Sequence, residues 1–81
     1  MDVSVQMFAV ARDLTGCDSL TMAVPDGANV ALLREQLFAR FPALAAVAGS
    51  LQFAVDQEYA NDSTPLVPGQ EIAIIPPVSG G

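Results

Sequence analysis

Polar and apolar residues alternate from Asp2 to Met7, with Val3, Val5 and Met7 on one side and Asp2, Ser4 and Gln6 on the other. A period of two is the signature of a half-buried strand. The alternation stops at Phe8, and Ala9, Ala11, Arg12 and Leu14 supply good helix formers before Gly16 offers a stop, which predicts a short helix or helical turn over 8–14. It resumes with Leu20, Met22 and Val24 interleaved with Thr21 and Ala23, predicting a second strand closed by the turn chemistry of Pro25-Asp26-Gly27.

Asn29 then stands as an N-cap ahead of Val30, Leu33, Leu37 and Phe41, which recur at helical spacing while Arg34, Glu35 and Arg40 point elsewhere. Pro42 ends that helix, because its ring and missing N–H disrupt continuation. The alanine-rich stretch 42–50 predicts a further short helical segment, and Leu51, Phe53 and Val55, alternating with Gln52 and Ala54, predict a third strand. Asp56-Gln57-Glu58 reads as a tight turn, Glu58 to Ala60 as a strand stub, Asn61 to Pro65 as a loop, and Pro68-Gly69-Gln70 as the turn into a last strand, Glu71 to Ile75.

Two strands, one main helix and two or three further strands are too few for a doubly wound fold and too poor in helix for a bundle. The order fits an α+β, ubiquitin-like β-grasp: a mixed sheet of four to five strands, one main helix and short helical segments. Strands one and two are expected to be neighbours, with the first and last side by side at the centre. The expected organisation is one β-grasp domain over 1–75 and a flexible C-terminal tail over 76–81.

Composition narrows the chemistry. The formal charge is −6, with nine acidic residues against Arg12, Arg34 and Arg40, so no basic stripe exists for a phosphate backbone and nucleic acid is not an expected ligand. The same imbalance favours a partner with a positive docking face. There is no histidine and Cys17 is the single cysteine, which removes disulfide frameworks, zinc sites of Cys and His, and imidazole-based triads. No metal site and no self-sufficient enzyme are expected, and Cys17, in a predicted turn beside Gly16 and Asp18, reads as incidental rather than as a persulfide carrier. Asp2 stands where a signal peptide carries basic residues, and no apolar run approaches a bilayer's thickness, so a cytoplasmic protein is expected.

The remaining candidate chemistry lies at the end, in Pro76-Pro77-Val78-Ser79-Gly80-Gly81. Two prolines cannot donate to a sheet, so the last strand must stop there. Six residues span roughly 20 Å when extended, enough to reach a neighbouring protein's active site, and Gly80 and Gly81 are narrow for want of a Cβ. A terminal α-carboxyl is ionised at neutral pH and a poor acyl donor until it is activated. Joining it to AMP as a mixed anhydride creates a leaving group, and a sulfur nucleophile can then leave a thiocarboxylate.

The chain resembles the small, sulfur-carrying subunit of molybdopterin synthase. The resemblance is carried by Phe8-Ala9 with Arg12-Asp13-Leu14 and Gly16, by Ala54-Val55-Asp56-Gln57-Glu58-Tyr59, and by Gly69-Gln70-Glu71 followed by Pro76-Pro77-Val78-Ser79-Gly80-Gly81. It covers the whole chain, departing mildly at Asp13, where that family usually has Glu, at Asp56, where Asn is common, and at Gln70, where Asp is common.

What the resemblance implies is a cycle. An E1-like adenylyltransferase, using ATP, adenylates Gly81; a sulfur donor protein converts it to a thiocarboxylate; and the carrier, bound to the large synthase subunit in a heterotetramer of two small and two large subunits, delivers sulfur to a cyclic pyranopterin precursor. Two transfers build the dithiolene of molybdopterin, and the carrier itself holds no tightly bound cofactor. Phe8, Tyr59 and Ile75 match positions that line the family's partner-binding surface. Other sulfur-carrier pathways (thiazole formation for thiamine, cysteine synthesis, tRNA thiolation) use the same C-terminal chemistry. A ubiquitin-like protein modifier and an interaction module with an inert tail are the readings from other classes.

Overall fold

A computed structural model describes residues 1–75, and Pro76 to Gly81 lie outside the described residues. Five strands and three α-helices follow in the order β1 (Asp2–Met7), α1 (Val10–Thr15), β2 (Ser19–Ala23), α2 (Val30–Arg40), α3 (Pro42–Ala45), β3 (Gln52–Val55), β4 (Glu58–Ala60) and β5 (Glu71–Ile75), with a 3-10 turn at Ala48–Ser50. One mixed sheet contains all five strands in the order β2-β1-β5-β3-β4. The first and last strands are parallel at its centre, and the other pairs are antiparallel. This is the β-grasp expected from the element order.

Parity decides which side chains meet the helices. Val3, Val5 and Met7 from β1, Phe53 and Val55 from β3, and Ile72 and Ile74 from β5 join Val30, Leu33 and Leu37 of α2 and Leu44 of α3 in one buried cluster. The apolar stripe on α2 thus closes over one face of the sheet and supplies the hydrophobic driving force of the fold.

The start of α2 shows how its backbone is satisfied. Asn29 Oδ1 accepts from the Leu32 N–H at 3.0 Å, as a cap should. The Val30 and Ala31 N–H groups donate to the carbonyls of Thr64 and Asp62, both at 3.0 Å, so the 61–66 loop supplies the acceptors that the helix lacks. Pro42, expected as a stop, occupies the first turn of α3, where its missing N–H costs no bond.

Two local expectations need adjustment. The short helix begins at Val10, not Phe8, because Phe8 to Ala11 first form a turn in which the Ala11 N–H donates to the Phe8 carbonyl at 3.0 Å. Ala9 holds φ 50 and ψ −122 in that turn, a position that favours glycine. The alanine-rich stretch is split between α3 and the 3-10 turn rather than forming one segment.

Candidate functional site

The face of the sheet away from the helices divides into two halves. Ser4 and Gln6 of β1 alternate with that strand's buried valines, and Ser19 and Thr21 stand beside them on β2, giving a polar half. Across the centre the register pairs Gln6 with Ala73, Ala73 with Ala54, and Ala54 with Tyr59, so the same row of side chains turns apolar on β5, β3 and β4. Ala54, Gln57, Tyr59, Ala73 and Ile75 line a depression of about 300 Å³ on this half.

The expected surface residues fall at or beside it. Tyr59 is 61% exposed and Phe8 48%, while Ile75 is half-buried at the end of β5. Tyr59 and Ile75 line the depression together. Phe8 does not line it, but its N–H donates to the Ile74 carbonyl at 3.2 Å, which holds it beside the end of β5. Ala54, Ala73 and Gln57 were absent from the expected surface. The signal for the alanines is their alternation with Phe53 and Val55 and with Ile72 and Ile74, which places a small side chain outward wherever a large one points inward.

The hairpin carrying Tyr59 is fixed by its turn. Asp56 and Gln57 both have positive φ, 50 and 71, as the two central residues of a tight hairpin require. Asp56 Oδ1 also accepts from the Glu71 N–H at 3.0 Å, and the Asp56 N–H donates to the Glu71 carbonyl at 2.8 Å, which locks the turn to β5. Gln70, another departure from the resembled pattern, bonds through Oε1 to the Val67 N–H at 2.8 Å and closes the turn into β5. Both substitutions therefore keep a turn-forming acceptor.

Tyr59 also borders a second depression, of about 490 Å³, whose lining includes Arg34 and Asp62 in an ion pair at 2.6 Å. Cys17 is half-buried against Thr15, its Sγ 3.5 Å from Thr15 Oγ1. Arg12 pairs loosely with Asp18 at 3.8 Å, both side chains exposed. Among the described residues no group of three or more His, Cys, Asp and Glu side chains could hold a metal ion, and no helix is long and apolar enough to cross a membrane. Among the described residues the site is a partly apolar depression that Tyr59 and Ile75 line together, with the exposed Phe8 beside it. Pro76, Pro77, Val78, Ser79, Gly80 and Gly81, the expected seat of the chemistry, lie outside the described residues.

Comparison with known proteins gives this surface a context, since the ThiS family model matches residues 5–81. The chain belongs to the ThiS family. Among its relatives, the human molybdopterin synthase sulfur carrier subunit is 42% identical over 98% of this chain and 93% of the relative. The protein of the same name from Chlamydomonas reinhardtii is 41% identical over the full length of both. A Pyrococcus furiosus structure, described as a putative molybdopterin converting factor, subunit 1, superposes on this ThiS-family chain with a TM-score of 0.89 at 27% identity, covering 96% of this chain and 99% of the other.

Proposed function

We propose that this chain is the sulfur carrier subunit of a molybdopterin synthase, with the Gly81 carboxylate as its working group. An E1-like adenylyltransferase joins that carboxylate to AMP, releasing pyrophosphate from ATP. Sulfur delivered at the sulfide level by a donor protein then attacks the acyl carbon, forming the C–S bond as the C–O bond to AMP breaks, and leaves a thiocarboxylate and free AMP. Docked on a large synthase subunit, the carrier passes this sulfur to the pterin precursor, and hydrolysis of the remaining acyl group returns the carboxylate. The chain binds neither metal nor nucleotide except as the glycyl adenylate.

The observation that carries this reading is the apolar half of the open face, where Tyr59, Ala73 and Ile75 stand outside the helix-facing core and which ends at Ile75, the residue that precedes Pro76. A partner seated on Tyr59, Ile75 and the neighbouring Phe8 would receive the following residues at its own surface. The family supports the rest: relatives matched over 93% and 100% of their own length carry the name of a sulfur carrier subunit, which supports a larger assembly.

Intact-protein mass spectrometry tests the reading. With ATP, an E1-like partner and a sulfur donor, the chain should gain the mass of one oxygen replaced by sulfur, mapped to the C-terminal peptide. Deleting Gly81 should leave the fold unchanged and abolish transfer, and extending the chain beyond Gly81 should abolish activation because the α-carboxyl becomes an amide. Absence of the mass change with a competent partner, or transfer by the deletion variant, overturns the proposal.

A further inference from the structure

The two free edges of the sheet differ in how well they are protected. Strand β4 is three residues long and carries Glu58, a short, charged edge of the kind that resists pairing. Strand β2, Ser19-Leu20-Thr21-Met22-Ala23, is five residues long, contains no charge and no proline, and pairs with β1 in unbroken register, so no bulge turns it away. Its hydrogen bonds show what it offers. The Met7 N–H donates to the Asp18 carbonyl at 2.7 Å, and the Val24 N–H donates to the Met1 carbonyl at 2.8 Å, so the even-numbered residues of this stretch face β1. The N–H and C=O groups of Ser19, Thr21 and Ala23 therefore point away from the sheet, and among the described residues nothing pairs with them. All three residues are exposed.

Charge says what fits there. The edge is bracketed by Asp18 and Asp26, whose side chains are 85% and 94% exposed. Each has one loose partner, Arg12 at 3.8 Å and the Met1 amino group at 3.5 Å. A second copy is a poor occupant. Antiparallel pairing about Thr21 would set Asp18 of each copy opposite Val24 of the other, two residues from its Asp26, between chains of charge −6.

We propose that the β2 edge receives an extended segment of a partner protein, uncharged at its centre and carrying Lys or Arg at both ends, which adds to the sheet as a sixth strand. Main-chain bonds to Ser19, Thr21 and Ala23 supply the affinity, and the flanking aspartates select the basic ends. The edge is two strands from β5, about 10 Å at ordinary strand spacing. It can thus be occupied while a partner covers the apolar depression.

The probe is a synthetic peptide of five alternating valines and threonines with two arginines at each end, compared with the same centre flanked by aspartates. Amide hydrogen exchange and chemical shifts of the full chain should show new protection at Ser19, Thr21 and Ala23 with the basic peptide, lost on adding salt, and none with the acidic one. Thr21→Pro removes an outward donor without breaking a bond to β1, and it should abolish the protection. Asp18→Asn with Asp26→Asn should weaken binding of the basic peptide tenfold or more, and this second variant decides the matter if T21P does not fold. Protection mapping to β4 or the open face, none with peptide on the order of 1 mM, unchanged binding in the double variant, or dimerisation of the chain through β2 each overturns the proposal.

Discussion

Strand β5 carries two kinds of apolar residue. Ile72 and Ile74 are fully buried beneath the helices, while Ala73 and Ile75, one position away, face outward beside a Tyr59 that is 61% exposed. The inward pair is accounted for by folding, since a 75-residue body must bury most of the apolar surface it has. The outward set is not, and on the β1 and β2 half of the same face the equivalent positions are Ser4, Gln6, Ser19 and Thr21. Apolar side chains on half of an open face, where polar ones stand on the other half, are the feature on which the proposed docking of a partner rests.

Substitutions on the two faces should separate these roles. The largest effect belongs to the inner face. Leu33 is fully buried in α2 within the core cluster, so Leu33→Ala should destabilise by about 2–5 kcal/mol. Urea unfolding measures this as a lower midpoint at unchanged slope, and a loss under about 1 kcal/mol would mean that α2 is less committed to the core than its burial indicates.

Next in size is the outer face, read by a different assay. Ile75→Asp or Phe8→Asp should cost about 1 kcal/mol or less in stability. Either should weaken binding to a large synthase subunit by about tenfold or more, as loss of an apolar contact within an interface does. Calorimetry or surface binding with the folded variants checks it. Wild-type affinity in both would remove the patch from the interface and leave its apolar character unexplained.

How much of this was legible in the sequence follows from which contacts are local. The period of two in Val3-Val5-Met7 and the 3–4 spacing of Val30-Leu33-Leu37 are local signals, and both the elements and their buried faces came out as the pattern implies. Asn29 was recognisable as a cap because its partner, Leu32, is three residues away. The positive φ of Ala9 left no trace, because alanine is not the residue such a turn favours. The docking of the 61–66 loop on the start of α2 joins residues about thirty positions apart through backbone atoms, which side-chain patterns do not encode. The site divides the same way. Phe8, Tyr59 and Ile75 could be singled out one by one, but the depression needs β5 between β1 and β3, which brings Ala73 beside Ala54 and so beside Tyr59.

The smallest expected effect lies at the border of the outer surface, where Arg34 Nη2 meets Asp62 Oδ2 at 2.6 Å in the depression that Tyr59 also borders. The short distance suggests a clamp between helix and loop, but both side chains are well exposed, 39% and 54%, and solvent screens such pairs heavily. The loop is already held by backbone bonds that neither side chain makes: Val30 and Ala31 N–H to the Thr64 and Asp62 carbonyls at 3.0 Å, and Leu66 N–H to the Ala28 carbonyl at 2.9 Å. A double-mutant cycle of Arg34→Ala and Asp62→Ala should therefore give a coupling energy of about 0–1 kcal/mol, falling as salt is raised. A larger, salt-insensitive coupling would show that the ion pair, not the backbone, fastens the loop. Measured on the same variants, affinity for the large subunit should stay within about twofold of wild type, because the interface assigned to Tyr59 and Ile75 lies on the open face. A tenfold loss in Arg34→Ala alone would extend the docking surface around β4 and erase the boundary between the two depressions.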